Sequence, residues 1–391
     1  MTNPLHYQRS TQAINAKKTY SLGIIFLLCQ LYLSPLFAKN TVVYKEKSEK
    51  HQFYLEEMAI LPRIVWGFDW LKRNKIIFTI RDGKIGILNL KTKKYRFIKN
   101  IPTIYASGQG GMLDVRVHPD YPRKPWIYLS YSKKQGQKAS TVLARTKLKN
   151  STFTKFQELL VADAFTNTDR HFGSRVVFDN KGYLYWSIGD RGHRPNGQNL
   201  KTHAGSILRL HTDGRVPSDN PFVPNKQAKA EIWSYGHRNP QGLHYDLENQ
   251  RLWAVEHGPR GGDEINLIFP GKNYGWPTIS YGKEYWGSQQ VGEGTKKKGM
   301  VQPKKYYTPS IAPSGMLLYQ GKKFPKWQGN LLIGALALRH LNRLVVKNAE
   351  IVHEERLLED FAERIRDVRQ GPEGYPWIST DTGKILRIRP W

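Results

Sequence analysis

The chain has one cysteine in 391 residues, half as many acids as bases, and almost no helical periodicity. With Cys29 alone, no disulfide can form within the chain, so an exported domain would draw its stability from packing or bound metal. Sixty-one Lys and Arg face 32 Asp and Glu, a formal charge of +29. Such a field draws the protein weakly toward anionic membrane surfaces and toward nucleic acid without sequence preference. The lysines are dispersed, and Lys296–Lys298 is the one dense cluster. That distribution describes a solvated cationic surface, not a specific nucleic-acid reader. Helical patterning is confined to VHEERLLEDFAERI, near 352–365, which reads as a loop or short helix. What is present in quantity is 39% hydrophobic residues, 12% aromatics, 34 Gly and 22 Pro. This excludes wholesale disorder and suits many short strands separated by turns.

Residues 1–38 obey a different rule. Lys17 and Lys18 precede SLGIIFLLCQLYLSPLFA, an uncharged apolar run ending in Ala38, the layout of a secretory signal peptide. Gln30, Ser34 and Pro35 interrupt the run and disfavour a permanent membrane span. Leu28 stands before Cys29, where a lipid-anchor site would need a small residue. The expected organisation is a signal peptide over 1–38 and one domain over 39–391, exported to the periplasm or secreted.

Along that domain one pattern returns: a small residue, an alternating strand, a turn and a second apolar strand. It begins at Trp66, Gly111, Gly173, Gly242, Gly315 and Ile365. The spacing of roughly 45–75 residues is that of one four-stranded blade. Six units predict an all-β, six-bladed β-propeller closed into a ring. Residues 39–60 form a leading extension suited to an outer strand. The long polar stretch 278–306 reads as a loop.

Polar residues gather just outside these strands, in GQGG (108–111), RHFGSR (170–175), GDRG (189–192), GHRNPQG (236–242), EHGPRGGDEINLI (256–268), GKNYGWP (271–277) and ERIRD (363–367). Each glycine alone is most simply a turn. His171, before the hairpin VVFDNKGYLYWSIGD, is by itself either a loop residue or a base.

Together, in this order, the segments resemble the soluble sugar dehydrogenases that use pyrroloquinoline quinone, in particular their aldose sugar dehydrogenase branch. The resemblance runs from about Trp66 to Arg389. It implies a periplasmic six-bladed propeller that oxidises the C1 hydroxyl of an aldose to the lactone and passes electrons to an external acceptor. On that resemblance, His171 matches the base that takes the hydroxyl proton and Asp190 the acid that orients its imidazole. Both roles suit the chemistry, because hydride leaves readily only from an alcohol that is losing its proton, and a histidine can accept it near neutral pH. Gln109, Arg238, Asn239, Arg364 and Arg366 match residues at the cofactor, a flat tricarboxylate that guanidinium groups pair bidentately. The resemblance further implies Ca²⁺ on the backbone oxygens of Gly258 and Pro259, and a second Ca²⁺ at Asp263, Glu264 and Tyr274.

The sequence also departs from the family. Where glucose-oxidising members carry a lysine, GALALRHL places Ala337, with Arg339 two residues on. His257 precedes GPRGG where other members have a glutamine. Two further readings compete: a calcium-dependent propeller lactonase or esterase, which would need a carboxylate or Asn cluster on a central calcium, and a non-catalytic propeller that binds glycans or proteins.

Overall fold

The computed structural model describes residues 41–391. The leader read over residues 1–38, with Cys29, lies outside the described residues. Six antiparallel sheets form the six blades of a β-propeller, five with four strands and one with five. The innermost strands are Val65–Lys72, Met112–Val117, Val176–Phe178, Pro240–Asp246, Pro313–Leu318 and Ile365–Gln370. Each lies at or within a few residues of a repeat start. The small residue opening the repeats has a steric cause. A Cβ added at Gly315 would collide with Asp367 of the next inner strand, and one at Gly67 would press on Asp114.

The leading extension closes the ring. Strand β1 (Thr41–Lys47) pairs with β2 (Gln52–Ile60), and β2 pairs with the C-terminal strand Lys384–Pro390, so the last blade holds strands from both ends of the described chain. Glu56 on β2 accepts hydrogen bonds from Arg387 at 2.6 and 2.9 Å. Phe53 and Leu55, fully buried, join a core with Phe324 and Trp327 of the fifth blade and Ile378 and Leu386 of the last.

Ionic residues on the inner strands fill the channel. Arg175 bridges Asp114 at 3.2 Å and Asp367 at 3.0 Å, and Arg369 bonds the same two carboxylates at 2.8 Å each. All four side chains are buried. Burial and the nearby Asp114 lift the Asp367 carboxyl to about 7 against the pull of Arg175. Losing either arginine would leave a buried charge unpaired, the costly case for interior ions.

The helical reading near 352–365 is overturned. Glu350–Leu357 is the outer strand of the fifth blade, paired with Leu341–Lys347, and a loop follows. The cross-strand pair of Arg343 and Glu355, at 2.6 Å, shows how tertiary partners override the helix propensity of Glu, Arg and Leu.

Ring closure should therefore be sensitive to β2. Phe53→Ala removes a fully buried ring and should cost about 3–5 kcal/mol, read as a lower urea midpoint. Phe97→Ala, on an exposed outer strand, should cost under about 1 kcal/mol. Equal midpoints for the two variants would contradict this account of closure.

Candidate active site

At the end of the channel where the inner strands begin, a narrow slot of about 150 Å³ opens. The cations Arg81, Arg364 and Arg366 line it, with the amides Gln109, Asn239 and Gln241 and the ring of His257. Among the described residues no Asp or Glu lines it. A larger cavity of about 840 Å³ opens toward the other ends of these strands. Its His244 is driven down to about 4, by burial and then by Arg116. That cavity holds no base oriented by an acid, so the chemistry points to the slot.

His171 stands in the loop whose next two residues, Phe172 and Gly173, line the slot. Its backbone is left-handed, with φ +56°, a conformation that a non-glycine side chain holds only when its surroundings impose it. Three restraints do so. The His171 amide donates to Gln109 Oε1 at 2.8 Å. Below the loop, fully buried Arg191 lies 3.5 Å from the Phe172 ring centroid and donates to the carbonyls of Thr168 and Arg170. Opposite, the His171 carbonyl occupies the space that a Cβ on residue 189 would need, so Gly189 must precede Asp190.

Asp190 is held on both oxygens. His171 Nδ1–H donates to Oδ1 at 2.6 Å and the Gly192 amide at 2.7 Å, while Trp276 Nε1–H donates to Oδ2 at 2.7 Å. Burial pushes this carboxyl up, but the bond from His171, the charge of Arg238 and the Gly192 amide outweigh it, so it lies below its ordinary range. Burial lowers the His171 imidazole, Asp190 opposes the shift, and Arg238 adds to it. The imidazole is thus neutral at neutral pH with its proton on Nδ1, and Nε2 accepts no hydrogen bond among the described residues. A neutral imidazole with one nitrogen anchored and the other bare has the form that general-base chemistry requires.

Arg238 hangs from a buried turn. His237, fully buried, hydrogen-bonds Ser234 Oγ at 2.9 Å and Glu256 at 2.8 Å, and the second Glu256 oxygen accepts the Arg238 amide at 2.7 Å. The order Ser–His–Glu is that of a hydrolytic triad, but here it serves as a brace without solvent access. The Arg238 guanidinium donates to the His257 carbonyl at 3.1 Å and to Tyr285 Oη at 3.2 Å. It pairs with no carboxylate among the described residues. Asn239 Oδ1 accepts from the Gly173 amide and Gln241, and its Nδ2 makes no hydrogen bond among the described residues. His257 donates to the Pro313 carbonyl at 2.8 Å, and burial followed by Arg238 drives its pKa to about 3, so it is neutral.

Arg364 and Arg366 meet as alternation predicts, but on a carboxylate. Asp381 takes Arg366 through two bonds of 2.8 and 2.9 Å and Arg364 through one of 2.8 Å. Arg81 pairs with no carboxylate among the described residues, and burial followed by the charge of Arg366 lowers its pKa. Three guanidiniums therefore share one acid, and the slot carries an excess of positive charge. Ala337 and Arg339 are exposed and neither lines the slot, so Arg81 stands as its additional cation. A flat polycarboxylate fits this cationic, carboxylate-free slot.

Gly258 and Pro259 are buried, and their carbonyls accept no hydrogen bond among the described residues. Oxygens left bare in this way suit a hard cation. The Asp263 carboxylate is already engaged, by the Gly258 amide at 2.9 Å, Ser310 Oγ at 2.6 Å and the Ala312 amide at 2.9 Å. Tyr274 donates to the Leu267 carbonyl at 2.7 Å and stacks on His237. From these two residues only backbone oxygens remain for a metal. Glu264 faces Glu256 across the sheet, and burial followed by that neighbour raises it to about 8. Asn266 Nδ2 bridges both carboxylates at 3.0 and 3.1 Å, while its Oδ1 is buried without a partner. Two crowded carboxylates beside an orphaned amide oxygen form a donor set for Ca²⁺. Among the described residues no three His, Cys, Asp or Glu side chains converge on one point, so carbonyl and amide oxygens would have to complete the shell of any calcium held there.

Sequence reasoning gave no role to Trp276, Arg191, His237 or Arg81. Trp276 lay in a quoted motif, and a buried indole N–H demands an acceptor. Which acceptor it finds is set by a contact 86 residues away.

A family model described as Glucose / Sorbosone dehydrogenase matches residues 62–387. The aldose sugar dehydrogenase YliI of Escherichia coli is 37% identical over 366 residues, covering 92% of this chain and 98% of that protein. The crystal structure of the soluble aldose sugar dehydrogenase of Escherichia coli in its apo form superposes with a TM-score of 0.84 at 37% identity, over 87% of this chain and all of that one. The PQQ-bound aldose sugar dehydrogenase of Streptomyces coelicolor superposes with a TM-score of 0.72 at 25% identity, over 85% and 96%.

The buried imidazole should titrate below about 6.5, the ordinary histidine value. Asp190→Asn removes the anion that favours the protonated form and should lower that pKa further. Histidine NMR resonances followed through pH test both statements, and a rise in the Asp190→Asn variant would reverse the assignment.

Proposed function

The chain belongs to the glucose/sorbosone dehydrogenase family and is an oxidoreductase of the PQQ type, and from that premise we propose that it oxidises the C1 hydroxyl of an aldose to the lactone at the slot beside His171. The observation that carries this reading is the neutral His171–Asp190 pair, with a bare Nε2, beside a slot rich in cations. The excess charge of Arg81, Arg238, Arg364 and Arg366 suits pyrroloquinoline quinone, with Gln109 and Asn239 offering free amide donors to its oxygens. Bound there, the quinone supplies a two-electron sink for the hydride leaving C1. Ca²⁺ would be held by the carbonyls of Gly258 and Pro259, and a second ion by Glu264 with the backbone of Asp263 and Tyr274.

The protein's own part is proton transfer and positioning. His171 Nε2 takes the C1 hydroxyl proton as the C1–H bond breaks, so the imidazole becomes cationic and the sugar neutral lactone. Asp190, kept ionised, stabilises that cation through Nδ1–H. Trp276 prevents the carboxylate from rotating away and acts as a positioning residue. Arg238, without a carboxylate partner, opposes charge build-up on His171 and lowers its basicity, so the pair is balanced for release as well as uptake. The slot is lined by no acid and by a single asparagine among the described residues, which favours this reading over a lactonase, whose central calcium would need a carboxylate or Asn cluster. The signal-peptide pattern over residues 1–38 supports export: the mature chain would begin near Lys39 in the periplasm and hand electrons to an external acceptor.

His171→Gln should leave quinone binding intact and lower kcat about 10²- to 10⁴-fold. Arg366→Ala should show the reverse, weak quinone binding rescued by excess quinone. Near-normal turnover of His171→Gln at saturating quinone would sink the mechanism. Chelating calcium should lower both Tm and quinone affinity, and a Tm unmoved by excess chelator would remove calcium from the scheme.

A further inference from the structure

The cavity of about 840 Å³ at the far end of the channel has the size of a small-molecule pocket, commonly about 300–1,000 Å³. All six blades contribute to its lining. Leu243, Met316, Leu317 and Phe178 supply apolar surface, and Arg116 and His244 supply polar groups without partners. Arg175 and Arg369 direct their donors to Asp114 and Asp367, but Arg116 differs. Its guanidinium donates no hydrogen bond among the described residues. Asp69 stands 3.4 Å from its Nε, and that carboxylate already accepts the Trp70 and Val117 amides. His244 makes no hydrogen bond through either ring nitrogen among the described residues. Burial holds it neutral, and Arg116 is the first charge to act on it, which places the two side chains near each other. Polar groups at such depth are costly unless something pairs with them. Of the acids at the rim, Asp120 pairs with Lys124, and Asp179 accepts the Lys181 and Tyr183 amides. Arg116 and Asp69 extend the balanced network of the channel, but balance holds only while Asp367 is ionised, and its carboxyl sits at about 7. At neutral pH the network has room for part of an anion.

We propose that this cavity is a second ligand site that takes a small 2-hydroxycarboxylate with an apolar body, its carboxylate on Arg116, its hydroxyl on His244 and its body against Leu243, Met316 and Leu317. The fork of guanidinium donors matches a carboxylate through two parallel bonds. A neutral imidazole offers one N–H and one bare nitrogen, and a hydroxyl both accepts and donates. The apolar side chains then bury the rest of the molecule, as small-ligand pockets do. With no base oriented by an acid, the site binds and does not react. It lies at the opposite ends of the inner strands from the slot and does not depend on the sugar-oxidising reading.

The test follows the Met316 methyl by NMR in methionine-labelled protein, with calcium and quinone present so that the slot is filled. Met316 is the one methionine among the described residues that lines the cavity, so its signal reports on this site and not on the slot. Mandelate should shift it with a Kd of about 1 mM, the scale for a ligand of its size. Phenylacetate, which lacks the hydroxyl, and mandelamide, which lacks the charge, should each bind at least about 3-fold more weakly. Arg116→Lys should weaken mandelate about 10- to 100-fold. His244→Phe should weaken it about 3- to 10-fold and abolish the difference between mandelate and phenylacetate. Arg366→Ala, at the slot, should leave the titration unchanged. A Met316 signal unmoved at about ten times the expected Kd overturns the proposal. Equal affinities for the three probes in the wild-type protein also overturn it, and that comparison needs no variant to fold. A titration lost in Arg366→Ala places the acid in the slot and overturns it as well. No sugar is oxidised in the measurement, so its outcome is separate from that of the sugar-oxidising reading.

Discussion

Ring closure is the constraint on which the molecule depends. A propeller blade cannot bury both of its faces alone, so each sheet relies on its neighbours, and the last blade relies on the first strands of the described chain. β2 supplies backbone bonds to the C-terminal strand, and Phe53 and Leu55 fill the gap between the fifth and last blades. The slot draws residues from loops and inner strands of different blades, including Arg81, Gln109, Asn239 and Arg366. Their relative placement exists only while the ring is shut. No disulfide relieves that demand, because the single cysteine has no partner.

Within the ring, charge is divided by depth. The channel interior is balanced, with Arg175 and Arg369 set against Asp114 and Asp367. The slot is unbalanced, with Arg81, Arg364 and Arg366 set against Asp381, and Arg238 nearby without an acid. Balanced interior charges hold inner strands in register. Unbalanced charge at a pocket is expensive for an empty protein and favourable once an anion arrives. The same division keeps His171 neutral: burial and Arg238 favour loss of its proton, while Asp190 limits how far that goes.

The rigidity of the site comes from residues that take no part in chemistry. Arg191 holds the loop beneath His171, His237 holds the turn that carries Arg238, and Trp276 holds Asp190. Each is a buried polar group that had to find a partner, and each bond fixes a segment that carries a reacting or charge-bearing group. The φ of +56° at His171 is strain that such a scaffold can carry.

Much of this was legible in the residues themselves. Period-two alternation and turn chemistry are local, so six blades and the outer strand from residues 39–60 could be read along the chain. Motif order carried the family, and with it His171, Asp190 and the arginines. What only the tertiary structure decided is who meets whom. Strand 350–357 carries helix-forming residues, but its pairing with 341–347 settled its state. Arg364 and Arg366 match cofactor residues in sequence, but their anchor Asp381 lies across a turn of the last blade. Arg81 enters the slot from the first blade, and Trp276 reaches Asp190 from far along the chain. Local pattern sets the conformation of a segment, because sterics and alternation act between neighbours. The partner of a buried charge or N–H is chosen by ring closure, which brings together residues whose separation in sequence carries no signal.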